Sequence, residues 1–226
     1  MGQLFHSVIG YVYLGIFLLI SGGYFTVYNL LQGSGDIRNF FSPLMSTVMF
    51  LLPMLTMRTY SEERKMRTDQ LLLSAPIRSI DVAAGKFLAV LTIFSVGMVF
   101  TLLYVMALAI LGQFNLLMVV GNYLGMLVSA SAFIAIGMFV STLTENQIIA
   151  CIVSYAVMLG LWIIGTVQSY LTNPVLKSLA GYLSVANRFS EFSMGIFDAS
   201  TLVYYLSITV FFLFLVSLLT EHRRQQ

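Results

Sequence analysis

The sequence predicts an all-α membrane protein of six transmembrane helices, and three observations carry that expectation. Of the 226 residues 59% are apolar and 9% are charged, where a water-facing globular surface needs roughly a quarter charged residues. Charge is absent from residues 1–35, 39–57, 87–144, 146–176 and 199–220, so most of the chain can enter hydrocarbon without burying an ion. Mean hydropathy is +0.93, and a single transmembrane domain over 1–226 accounts for nearly all of it.

The spans follow from length. A helix needs about 20 apolar residues to cross roughly 30 Å of hydrocarbon. The first falls at 8–31; Met1–Ser7 holds no Lys or Arg, and the apolar stretch exceeds the roughly 7–15 residues of a signal-peptide core, so it reads as a retained span. The second, 40–57, opens with Ser42-Pro43 as a cap and first-turn pair and carries Pro53 inside, where the ring removes a backbone bond and should kink the helix. The run 87–144 is too long for one crossing and right for two, 87–111 and 117–141, broken at Gly112-Gln113-Phe114-Asn115. The last two are 148–171 and 201–219. Between them, Asn173-Pro174, Gly181 and Gly195 interrupt an aromatic segment, which predicts short re-entrant or interfacial helices.

Lys and Arg gather on the cytoplasmic side of a membrane. With the N-terminus inside, Arg58, Arg64, Lys65, Arg67, Arg78, Lys86, Arg223 and Arg224 are cytoplasmic, and Arg38, Lys177 and Arg188 are outside. Both termini are then cytoplasmic. A net charge of +2 excludes nucleic acid as a partner, since phosphate neutralisation needs a basic face. His6 and His222 lie at opposite ends and Cys151 is the one cysteine, so no intrachain disulfide and no Cys/His metal cluster can form. No Gly-x-Ser-x-Gly elbow or His-Glu-x-x-His occurs, which disfavours an intramembrane enzyme.

A transporter that harvests an ion gradient usually carries ionisable groups at membrane depth. The six predicted spans hold none, so energy is expected from a partner. The cytoplasmic island from Arg58 to Lys86 offers the contact. Thr59 and Glu62 have capping-box spacing, Glu63/Arg67 and Lys65/Asp69 are i,i+4 pairs, and Pro76 ends the pattern, which predicts a short, separately capped helix. Such a helix serves equally as a grip for a soluble protein or as a basic helix on membrane lipids.

Here the residues carry a resemblance. The block Glu62-Glu63-Arg64-Lys65-Met66-Arg67-Thr68-Asp69-Gln70-Leu71-Leu72-Leu73-Ser74-Ala75-Pro76, followed by Gly85-Lys86-Phe87, resembles the coupling-helix segment of type-2 ABC transporter permeases (the ABC-2 family). It is most similar to the gliding-motility-associated branch. Ile9-Gly10-Tyr11-Val12, Ile20-Ser21-Gly22, Ser141-Thr142-Leu143-Thr144-Glu145-Asn146-Gln147 and the aromatic run Tyr204–Phe214 add to it.

The resemblance implies a non-catalytic permease subunit of the bacterial inner membrane, an exporter, paired with a second copy or paralogue over a cytoplasmic ABC ATPase dimer. ATP and Mg would bind on that partner and no cofactor on this chain. Glu62, Glu63, Arg64, Lys65, Met66, Arg67, Thr68, Gln70, Leu71, Leu72 and Leu73 would form the ATPase-coupling surface on a 59–76 helix. Arg67 stands where the family usually has glycine, which adds bulk and charge to that surface. Seven residues precede the first span where the family carries a basic amphipathic elbow helix, so the start is truncated or the anchor is absent.

Arg188, Glu191 and Asp198 are candidates for an external gate or a surface for an extracytoplasmic domain protein, with a solvated loop as the alternative. Gly121-x-x-x-Gly125 with Ser129 suits close helix packing within the subunit or a dimer seam, and Gly22-Gly23 a packing notch or a hinge. Trp162, Tyr155 and Tyr170 could line a substrate path or an interfacial belt. Two rival functions stay open, a complex that transmits ATP-driven motion without moving solute and a stand-alone ion-coupled carrier or channel.

Overall fold

The computed structural model describes residues 8–66, 78–110, 115–170, 173, 177, 181, 184–194 and 198–224. Among them run α1 (Val8–Phe25), α2 (Arg38–Thr56), α3 (Arg58–Lys65), α4 (Ser79–Ile110), α5 (Leu116–Leu143), α6 (Gln147–Val167), α7 (Val185–Ser193) and α8 (Ala199–Arg224). Six helices are long and apolar enough to cross a membrane, with α2 and α3 counted as one rod, Arg38–Lys65.

α1 passes into a π-helical turn, Thr26–Leu30. The buried Asn29 amide there donates to the carbonyls of Ser34 (2.9 Å) and Asp36 (3.0 Å), closing the connection to α2. Gly33 supplies the one positive φ among the described residues, +59°, a conformation that costs glycine nothing.

α2 corrects the expected start of the second span. It begins at Arg38, ahead of Ser42-Pro43. The Asp36 carboxylate accepts the Arg38 backbone N–H at 3.0 Å, and the added turn buries Phe40 and Phe41. Pro43 and Pro53 both lie inside the helix.

α4 likewise starts at Ser79 instead of 87. The carbonyl of Arg78 accepts the N–H groups of Asp81 and Val82, and Asp81 in the first turn favours the positive end of the helix dipole. An apolar count starts too late because these first turns are polar. The charges thereby drawn into helices lie near their ends; Lys86 is about two turns in from Ser79.

α5 is the central helix, in contact with α2, α3, α4, α6, α7 and α8. Its small residues permit this. A Cβ added at Gly137 would lie 2.2 Å from Thr56 Oγ1 of α2, and one at Gly125 would lie 2.6 Å from the Phe192 side chain of α7. Gly125 and Ser129 of the predicted stripe are therefore used within the subunit, with Ser129 beside Met45 of α2. In α1, Gly22 faces the Tyr104 hydroxyl, a packing notch. Asn115 and Asn146 cap α5 and α6, each side-chain oxygen accepting two backbone N–H groups.

Candidate functional site

The site begins with α3, where the sequence suggested a helix capped by its own Thr59. The structure corrects this. The Thr59 hydroxyl donates back to the Thr56 carbonyl at 2.7 Å, and the chain runs from α2 through Met57 in helical geometry. The cap comes from α5 instead. Ser141 Oγ accepts the backbone N–H groups of Tyr60 and Ser61, each at 3.1 Å, and donates to the Met57 carbonyl at 3.0 Å. A residue some eighty positions away outcompetes the local capping box because it lies buried against the joint, where an orphaned N–H is costly.

Charged side chains extend this contact around the end of the bundle. Arg64 donates to the Thr142 carbonyl at 3.1 Å and pairs with Glu145 at 2.9 Å. Lys86 of α4 pairs with Glu63, donates to the Thr59 carbonyl at 2.7 Å, and lies 3.8 Å from the centroid of the Tyr60 ring. From α8, Arg223 reaches the Thr142 carbonyl at 2.6 Å, and Glu221 accepts the hydroxyl of Ser79. α3, α4, α5, α8 and the α5–α6 connection are thus tied together in one polar collar.

The collar divides the predicted coupling residues. Glu63 and Arg64 turn into it. Lys65 and Met66 are exposed, and Glu62 is partly exposed and paired in an i,i+4 contact with Arg58 at 3.9 Å. Arg67, Thr68, Gln70 and Leu71–Leu73, with the Pro76 stop and the Arg67 and Asp69 pairings, lie outside the described residues. Sequence reasoning missed the roles of Tyr60, Lys86, Ser141, Glu221 and Arg223. For Lys86 a signal existed, a lone cation opening a long apolar run.

At the opposite end, α7 packs among α2, α5 and α6, burying Val185, Phe189 and Phe192. The Asn122 amide of α5 donates to the Ser193 carbonyl (3.3 Å), and the Tyr205 hydroxyl of α8 to the Val185 carbonyl (2.8 Å). A cavity of about 230 Å³ remains between α7 and one face of α2. Trp162 lines it, Tyr155 is anchored by donating to the Phe50 carbonyl at 2.5 Å, and Tyr170 is exposed.

Of the predicted external trio, Arg188 and Asp198 meet around Ser200. Arg188 lies 4.5 Å from the Tyr204 ring centroid, with Nη1 3.5 Å from Ser200 Oγ. The backbone N–H and hydroxyl of Ser200 both donate to Asp198, holding its carboxyl below the usual carboxylate range. Glu191 is helical in α7; its side chain lies outside what the structure describes.

Residues 29–225 match the family described as ABC-2 family transporter protein. The chain belongs to the ABC-2 family. This permease is a multi-pass membrane subunit of a transporter and carries no catalysis of its own. No curated protein matches it significantly. Two blocks far apart in the permease sequence, Glu62–Met66 and Ser141–Gln147, meet in the collar.

Proposed function

We propose that this permease works in the bacterial inner membrane as half of an ATP-driven exporter. The collar end faces the cytoplasm, where seven of the described basic residues gather, Arg58, Arg64, Lys65, Arg78, Lys86, Arg223 and Arg224. Both termini are then cytoplasmic. A second copy or a paralogue completes the transmembrane unit, and a cytoplasmic ABC ATPase dimer carrying ATP and Mg docks on the 59–76 segment. We place the chain nearest the gliding-motility-associated branch on the strength of the block from Glu62 to Pro76.

The observation that carries this reading is the collar itself. A helix that served only to rest on lipid would not need its N–H groups, carbonyls and side chains bound to two other helices and the α5–α6 connection. Bound in this way, a push on α3 is delivered to α4, α5 and α8 together. Glu63 and Arg64 transmit that push, and Glu62, Lys65 and Met66 face outward to receive it, continued by Arg67, Thr68, Gln70 and Leu71–Leu73. The charge-free middle of the spans leaves no side chain with which to use a proton gradient.

The test is co-purification with a cytoplasmic ABC ATPase. Lys65→Glu with Leu71–Leu73 changed to alanine should abolish the complex while leaving the thermal unfolding of the isolated permease unchanged. An intact complex with unaltered ATPase stimulation would overturn the proposal, as would accumulation of a solute by the permease alone on a sodium or proton gradient.

A further inference from the structure

The cavity at the end opposite the collar has the chemistry of a ligand site, and binding there is a separate matter from how the permease is driven. Its α2 wall is the stripe Ser42, Met45, Ser46 and Met49, one helical face about 10 Å long. Facing it are Phe189 and Ser193 of α7, with Phe133 of α5 and Trp162 of α6. Polarity falls along the wall. Arg38 and the exposed Ser42 stand at the rim, and buried Met45 and Met49 lie further in.

The α7 wall is held in place by the Phe192–Gly125 contact and by the bonds from Asn122 and Tyr205, so the cavity is built before any ligand arrives. The thioethers of Met45 and Met49 adapt readily to the shape of an alkyl chain. At the rim, Asp36 engages Nε and Nη2 of Arg38 and leaves Nη1 outside that pair. At about 230 Å³ the space is smaller than the roughly 300–1,000 Å³ of sites that enclose a drug-sized molecule. It fits part of a ligand whose remainder stays at the rim.

We infer that this cavity binds a single-chain anionic amphiphile, its alkyl chain between α2 and α7 and its acidic headgroup at Arg38 Nη1 and the Ser42 hydroxyl. Occupancy needs no nucleotide and no ATPase, so failure here leaves the proposed function standing, and the reverse holds.

The chain supplies its own reporter, because Trp162 in the cavity wall is its single tryptophan. The purified full-length permease in lipid nanodiscs is titrated with 11-bromoundecanoate, whose bromine quenches indole fluorescence on contact. Quenching should saturate, and unbrominated undecanoate should restore the emission of the unaltered protein. Ser46→Phe, which fills the cavity, should remove the saturable component. Arg38→Gln should weaken binding by roughly threefold to tenfold, the worth of one partly solvated charge-assisted bond, and should abolish the preference over 11-bromoundecanol.

Met49→Phe is a second filling variant, and emission spectra with elution volume check the fold of each. Quenching that rises linearly, is not reversed by undecanoate and persists in both filled variants is partition into the bilayer and overturns the inference. Equal affinity of the bromo-acid and the bromo-alcohol for the unaltered protein overturns it as well.

Discussion

Lys86 gives the sharpest test of the collar. Its ammonium pairs with Glu63, donates to the Thr59 carbonyl at 2.7 Å and sits over the Tyr60 ring. The Lys86 side chain is only 14% exposed, against 30% for Glu63. A hydrogen bond involving a charged group is worth about 1.5–3 kcal/mol, and a cation over an aromatic ring about 0.5–1 kcal/mol near a surface. Because Glu63 retains contact with solvent, the ion pair itself must be discounted. Lys86→Met should therefore cost about 3–4 kcal/mol, of which about 1 kcal/mol is coupling to Glu63. A double-mutant cycle with Glu63→Gln, read by reversible unfolding in mixed detergent and SDS micelles, isolates that coupling. Single effects that add to the double within about 0.5 kcal/mol would show no energetic link and would refute the collar as a mechanical unit. In the assembled complex, Lys86→Met should reduce transport per ATP hydrolysed while leaving the amount of bound ATPase unchanged.

Other outcomes follow from single contacts. Arg64→Met removes the donor to the Thr142 carbonyl and the partner of Glu145, and should uncouple ATPase stimulation from transport, with Glu145→Gln giving the milder form; equal loss in both would show that the Thr142 bond contributes nothing. Gly137→Ala pushes a methyl into Thr56 and should lower stability by about 1–3 kcal/mol, as overpacking does; an unchanged thermal midpoint would refute the tight α2–α5 crossing. The Arg38 side-chain bond holds the Asp36 carboxyl below its usual value. Its contribution is therefore complete above the usual carboxylate range and is lost as pH falls from that range through the lowered folded value. Asp36→Asn should differ most from the unaltered protein near neutrality and converge with it at the acid end, as followed by thermal unfolding against pH.

The spans were legible in the sequence because the hydrocarbon sets a length that a run of uncharged residues must meet. Their polar ends were not. α2 and α4 begin earlier than the apolar pattern does, since Asp36 and the Arg78 carbonyl satisfy the first turns, and such local bonds leave no hydropathy signal. The block that opens at Glu62 stands out in the sequence, but the capping its spacing suggests does not form. A Thr-x-x-Glu pattern is a local statement, whereas the bond that forms depends on Ser141 arriving from α5. The same reason hid Lys86 and Arg223. The partners they meet are fixed by tertiary packing, and no spacing rule in one chain reports a contact between three helices. The small-residue stripe was readable as a close approach, and the identity of the neighbour, Phe192 of α7, was not.

The rod formed by α2 and α3 joins the two polar features of the permease, and its contacts decide where it can bend. Below Thr56 the rod is fixed: Ser141 makes three bonds to the Met57–Ser61 backbone, Gly137 admits Thr56 without clearance, and Lys86 ties Thr59 to α4. A force applied to α3 therefore moves the feet of α4 and α5 with it, because separation would break several buried hydrogen bonds at about 1 kcal/mol or more each. Above that block lies Pro53, the nearer of the two prolines inside α2, which lacks the N–H that would bond to the Met49 carbonyl and so leaves the helix ladder open at that level. Met49 is also the innermost α2 residue of the cavity wall. Displacement of the collar should therefore act first at Met49–Pro53, and a change of angle there would widen or close the space between α2 and α7.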